Sequence, residues 1–199
     1  MLRETRKQDT KEHIFMQAIQ LFKEKGYEGV TVQEIATACG IAKGTFFNYF
    51  SKKEELLLYL GESQLQLLDQ NSKNYREIED PKTKISALLG GLLKRYSEEG
   101  DLMKLVVSEL VRSAFLAEME SNSIRKLQQM LMDIVNEAKQ SGKLQSNQDT
   151  ELIASAVVGA YFHTMMTWTL LNAESSSIVD RFEQHLDVVW HGICPKGEQ

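Results

Sequence analysis

Between positions 43 and 53 the chain places Lys43, Thr45, Asn48, Tyr49 and Lys53 around two apolar anchors, Phe46 and Phe50. Phe46 and Phe50 are four apart and share one face of a helix, so the polar residues, with Gly44 and Phe47, take its start and its other faces. Ammonium, hydroxyl, amide and phenol groups donate and accept hydrogen bonds, and here no nucleophile is paired with a base. That is the chemistry of recognition rather than of bond making.

The preceding residues must aim this set. Ile14, Phe15, Ala18, Ile19, Leu21 and Phe22 form an apolar stripe at helical spacing, which predicts a helix over 10–25 stopped by Gly26. Thr31-Val32-Gln33-Glu34 is a T-x-x-E capping box, with Val30 and Ile35 spaced as a hydrophobic staple. The short helix it opens carries Val32, Ile35, Ala36 and Cys39 on one face and ends at Gly40, after which Ile41 returns to the core. A third helix is expected from Ala42 to Phe50. Ser51-Lys52-Lys53-Glu54 is a second capping box, opening a fourth helix through Leu56, Leu57 and Leu60. Two short helices joined by a tight glycine turn, the second with polar and aromatic residues forward, make a helix-turn-helix.

The run Gly26-Tyr27, Thr31-Val32, Ile35-Ala36, Gly40-Ile41, Gly44-Thr45-Phe46-Phe47-Asn48-Tyr49-Phe50 and Lys53-Glu54-Glu55-Leu56 resembles the DNA-binding domain of TetR-type transcriptional regulators. The resemblance covers roughly residues 10–60; beyond them only length and helical character match. It implies that Thr31 offers its hydroxyl and nearby amides to a phosphate, and that Lys43 and Thr45 face the major groove. It further implies that Asn48 pairs with an adenine edge or a phosphate, and that Tyr49 and Lys53 contact the DNA backbone. Gly44 would allow close approach. Phe47 stands where the family commonly has tyrosine, so it is counted with the DNA-facing positions but expected to pack rather than to bond. Ala42 replaces a frequent capping Ser or Thr, which forgoes about 1 kcal/mol.

The fold class expected is all-α: a three-helix head over 1–55 and a helical ligand-binding and dimerisation body over 56–199. Asp80-Pro81 marks a helix start, and its apolar face runs through Ile85, Leu88, Leu89, Leu92, Leu93 and Tyr96. Further helices are expected over 102–116, through Ile124 to Ala138, and over 149–171 and 177–193. The last two are apolar enough to meet a copy of themselves, and the resemblance implies a homodimer through a four-helix bundle. Leu152, Ala156, Phe182, Leu186, Val189 and Trp190 are its expected interface. Met103, Phe115, Met119, Met130, Tyr161, Met165, Met166 and Trp168 are the expected lining of a site for a largely apolar small molecule, with His163 as its polar member.

The formal charge of −5 divides into +3 over residues 1–53 and −8 beyond, a basic head on an acidic body. No P-loop, dinucleotide fingerprint, H-E-x-x-H or nucleophile elbow occurs, so an enzyme is not expected. His185, His191 and Cys194 are too few for a structural zinc site, so no metal and no cofactor are expected. Cys39 lies on an apolar face and reads as an inert thiol. Polar interruptions in 152–171 argue against a membrane span, and the charged N-terminus against a signal peptide, giving a cytoplasmic expectation. The partners expected are double-stranded operator DNA, a small-molecule effector and a second copy of the chain. The function expected is a repressor released from a pseudo-palindromic operator by its ligand. The alternatives are a helical adaptor that binds protein, or a metal-responsive regulator.

Overall fold

The computed structural model describes residues 2–59, 63, 75, 77–98, 100–112, 114–170 and 177–193. Its helices are α1 (Leu2–Lys25), α2 (Val32–Ala38), α3 (Lys43–Phe46), α4 (Pro81–Glu98), α5 (Gly100–Arg112), α6 (Ala114–Gln140), α7 (Thr150–Leu170) and α8 (Ile178–Ile193). Among the described residues there is no strand, and no helix is long and apolar enough to cross a membrane.

Each start is built as the side chains dictate. Asp80 accepts the backbone N–H of Thr83 at 2.8 Å and its hydroxyl at 2.6 Å, with Pro81 at the first helical position. Those two bonds hold the Asp80 carboxyl below its ordinary range. Asp149 accepts from the amides of Glu151 at 2.7 Å and Leu152 at 3.3 Å at the head of α7. The Thr31–Glu34 capping box is complete in both directions.

Four expectations are corrected. α1 begins near Leu2 rather than Thr10; Gln8 on its added turns donates to the Tyr59 hydroxyl at 2.9 Å, and that hydroxyl donates to Glu12, within the expected helix, at 2.8 Å. α3 stops at Phe46 instead of Phe50: the amides of Asn48 and Tyr49 bond three residues back, to Thr45 and Phe46, so the chain tightens into a turn. Gly44, β-branched Thr45 and the uncapped start at Ala42 all weaken a longer helix. The second capping box uses Glu55, not Glu54: the Ser51 amide donates to Glu55 at 2.7 Å, and its hydroxyl bonds the same carboxylate. α6 starts at Ala114, inside the helix expected to run to Leu116.

One continuous apolar core runs from head to body. In the head, Ile14, Ile35, Phe46 and Leu56 are fully enclosed. Phe15 meets Tyr59 edge-on at 5.0 Å, and Tyr59 meets Phe50 at 5.7 Å. In the body α7 packs between α6 and α8, and α8 also packs on α4. That crowding explains why α7 is apolar on several sides. Lys82–Asp187 at 2.5 Å and Ser86–Glu183 at 2.9 Å close the α4–α8 seam at its solvent edge.

His185 of α8 faces α7, where its Nδ1 lies 2.7 Å from the Thr164 hydroxyl. Burial, the neighbouring His163 and then Arg181 push its pKa below 6.5. The folded state therefore resists protonating this ring, and the stability it contributes is present above about pH 6.5 and lost as the pH falls through its lowered value. Thermal midpoints should drop between about pH 7 and pH 5, before most carboxylates titrate, and His185→Gln should flatten that drop. An equal drop in the variant would assign the effect elsewhere.

Candidate nucleic-acid interface

The turn between α2 and α3 is a Schellman closure. Gly40 takes a left-handed backbone (φ 65°), its amide bonds Thr37 O at 3.0 Å, and Ile41 N bonds Ala36 O at 3.0 Å. Ile41 then packs on the core, which fixes the direction in which α3 leaves. From the other side, Lys25 at the end of α1 bonds Glu34 in the first turn of α2 at 2.9 Å. The Thr31 amide and hydroxyl, with Lys25, hold the Glu34 carboxyl down to about 2. It therefore stays ionised, as the cap requires, through the whole working range of pH.

Phe46 and Phe50 are buried and anchor α3 from within, their rings 5.8 Å apart. Lys43, Gly44, Phe47 and Asn48 are exposed, and Thr45 and Tyr49 are half-buried on the same outer surface. Thr31 is exposed at the start of α2, so these side chains form one outward-facing set. Gly44 has no left-handed backbone, and a Cβ there would meet nothing within 4 Å. Nothing inside the chain requires glycine at that position.

Two members behave differently from expectation. Phe47 is 47% exposed, touching Phe46 edge-on at 5.5 Å, so it is a surface ring and not a packing residue. Lys53 turns inward: its ammonium donates to Tyr27 O at 2.8 Å and Val30 O at 3.0 Å and sits 4.0 Å from the Tyr27 ring centroid. It ties the loop between α1 and α2 to the segment after α3. The sequence held no signal for this, since the loop carbonyls that Lys53 meets lie 23 and 26 residues away.

The candidate effector residues are only partly gathered. Met103, Tyr161 and Met165 are buried, and Met130, Met166 and Trp168 half-buried; the side chains of Phe115 and Met119 lie outside the described residues. Tyr96 links part of this set. Its ring meets Trp168 at 5.7 Å, and its hydroxyl bonds Met103 O at 3.4 Å and the Thr169 hydroxyl. Burial pushes the Tyr96 phenol up to about 12. Trp168 also lines an open cleft of about 1140 Å³ between the end of α1 (Phe22, Tyr27) and the body (Lys94, Glu98, Lys104). His163 is exposed and meets His185 of α8 edge-on at 5.1 Å.

The expected dimer face is likewise redrawn. Phe182 and Leu186 are buried in the protomer's own core, and Val189 and Trp190 are half-buried against it. Leu152, Leu170 and Val188 are 58, 63 and 73% exposed, and Ala156 is exposed beside them. Val188 was legible in principle: it follows Leu186 by two residues, about 200° round the helix from the buried stripe. Cys39 is half-buried, and desolvation raises its thiol above its ordinary value, as befits an unreactive group. No group of three or more His, Cys, Asp or Glu residues able to hold a metal occurs among the described residues. Cys194 lies outside them.

Comparison with known proteins places this geometry. Residues 14–60 match the sequence profile described as "Bacterial regulatory proteins, tetR family". The Bacillus subtilis fatty acid metabolism regulator protein is 25% identical over 90% of this chain and 93% of its own length. An uncharacterized HTH-type regulator of the same organism, YerO, is 26% identical over 93% of this chain, which spans 66% of that relative, just under two thirds. Among solved structures, Thermus thermophilus FadR in complex with lauroyl-CoA superposes with a TM-score of 0.80 at 24% identity, covering 94% of this chain and 97% of that one. Bacillus subtilis FadR in complex with stearoyl-CoA gives 0.71 at 24% identity, covering 92% and 98%. Over residues 14–60, which hold most of α1 with α2 and α3, the chain carries the sequence signature of the tetR family of bacterial regulatory proteins.

The two phenylalanines separate packing from contact. Phe46→Ala should cost the head about 3–5 kcal/mol in denaturant unfolding, as enclosed aromatic truncations do. Phe47→Ala should stay within about 0.5 kcal/mol of the parent. A large loss at Phe47 would place its ring in the core after all. Lys53→Met should destabilise the head measurably, since it leaves two loop carbonyls without their charged donor.

Proposed function

We propose that this chain is a dimeric transcriptional repressor, acting in the bacterial cytoplasm by binding rather than by catalysis, and released from its operator by an acyl-CoA-class effector. The observation that carries the reading is the exposed set on and around α3, held outward by two buried phenylalanines and one glycine turn. Lys43, Thr45, Phe47, Asn48 and Tyr49 are the proposed groove contacts, with Thr31 on a phosphate and Gly44 allowing close approach. Lys53 is proposed to shape this surface rather than to touch DNA. The division between head and body is placed just after Tyr59, whose ring and hydroxyl pack on α1, rather than at residue 55.

The effector class is supported by similarity over most of the chain to a fatty acid metabolism regulator, and by fold likeness to regulators solved with lauroyl-CoA and stearoyl-CoA. The Met-rich interior of α5 and α7 suits a flexible acyl chain. The cleft between α1 and the body supports a mechanism in which ligand displaces the head. Effector binding would favour the conformation whose recognition helices are wrongly spaced for two successive major grooves. The second copy is proposed to dock on the face carrying Leu152, Ala156, Leu170 and Val188.

Binding to a duplex from the promoter of its own gene tests the reading. Affinity should fall steeply with salt, and Lys43→Ala should reduce the log–log salt slope by about 1. Thr45→Ala and Asn48→Ala should change sequence preference. Long-chain acyl-CoA should release the DNA while free CoA does not; release by neither would remove this effector class and leave the head's assignment intact. Binding indifferent to both salt and sequence would instead favour a protein-binding adaptor. Val188→Glu should shift the protein toward monomer in sedimentation, and an unweakened dimer would reject that face.

A further inference from the structure

α7 and α8 bring two histidines together on the face just assigned to the second copy. His163 lies near the middle of α7 and His185 near the middle of α8, with ring centroids 5.1 Å apart and planes at 63°. The Thr164 hydroxyl donates to Ala160 O at 2.8 Å, so its oxygen accepts from His185 Nδ1 at 2.7 Å. That bond puts the His185 proton on Nδ1 and leaves Nε2 with a lone pair. A second hydrogen bond that fixes the tautomer and orientation of a ring is the arrangement found behind metal-binding histidines. The His163 ring is exposed and makes no hydrogen bond among the described residues.

We propose that His163 and His185 are half of an imidazole-only Zn²⁺ site, completed by the same pair from a second copy across the twofold axis. It rests on the reading that α7 and α8 form the dimer face. Two imidazoles bound to one tetrahedral zinc at about 2.0–2.1 Å have their ring centroids about 5.2 Å apart, which matches the separation seen here. Two ligands per chain fall short of the four that a closed zinc site uses, so a partner must supply the rest. Gly159 and Ala156, one and two turns before His163, are small and exposed, and a Cβ at Gly159 would meet nothing within 4 Å. The face therefore admits a second helix closely enough to bring the four rings to one ion. Arg181, one turn before His185, adds a positive charge that works against a cation, so all four donors are needed.

The test uses the full chain without a polyhistidine tag, stripped by chelator and then titrated with Zn²⁺ by calorimetry, with sedimentation run in parallel. The expected result is a dimer in chelator that takes up one Zn²⁺ per two chains. His163→Ala and His185→Gln should each weaken uptake by more than about 100-fold, and Thr164→Val, which removes only the supporting bond, by about 10–100-fold. His191→Ala, at an exposed ring outside the pair, should leave uptake unchanged. A dimer that takes up no Zn²⁺, or one per chain, or as much in His163→Ala as in the parent, overturns the metal site alone. A monomer in chelator overturns the dimer face and the shared site with it.

Discussion

A recognition surface made of side chains is only as good as the angle at which its backbone leaves the core. Here that angle is set by three local interactions within sixteen residues: the Lys25–Glu34 pair, the Thr31 cap and the left-handed closure at Gly40. Each fixes one end of α2, and α2 in turn aims α3. Any residue but glycine at position 40 would strain the αL backbone. The turn would then relax at the expense of the Ile41–Ala36 bond that points α3 outward. Beyond these, α3 depends on its buried anchors Phe46 and Phe50, because it is one turn long and its start lacks a side-chain cap.

Head and body share one apolar core. Tyr59 is the junction: its ring packs on Phe15 and Phe50, while its hydroxyl accepts from Gln8 and donates to Glu12. Lys53 closes the opposite side by gathering two carbonyls of the loop after α1.

Local rules made the head legible in the sequence. Capping boxes, glycine stops and the i, i+4 spacing of Phe46 and Phe50 act over a few residues, so α2, its cap and the buried anchors follow from composition and order alone. What failed was decided by tertiary distance. The inward bonds of Lys53 were not legible because the carbonyls that capture it are far away in sequence, and Phe47, expected to pack because its neighbours are buried, is exposed. On α8 Phe182, Leu186, Val189 and Trp190 were expected at the interface, yet Phe182 and Leu186 complete the protomer's own core while Val188 remains outside. Periodicity identifies an apolar face but not which of two partners covers it.

Selection from random duplex DNA tests the central claim most directly, because it presumes neither the operator nor the effector. A dimer presenting two α3 surfaces should enrich an inverted repeat whose half-sites are centred about 34–36 Å apart, or a multiple of that spacing. Thr45→Ala or Asn48→Ala should then relax particular base positions within each half-site. Recovery of no common sequence, or of one unaltered by both substitutions, would contradict the assignment of α3 as the reading element.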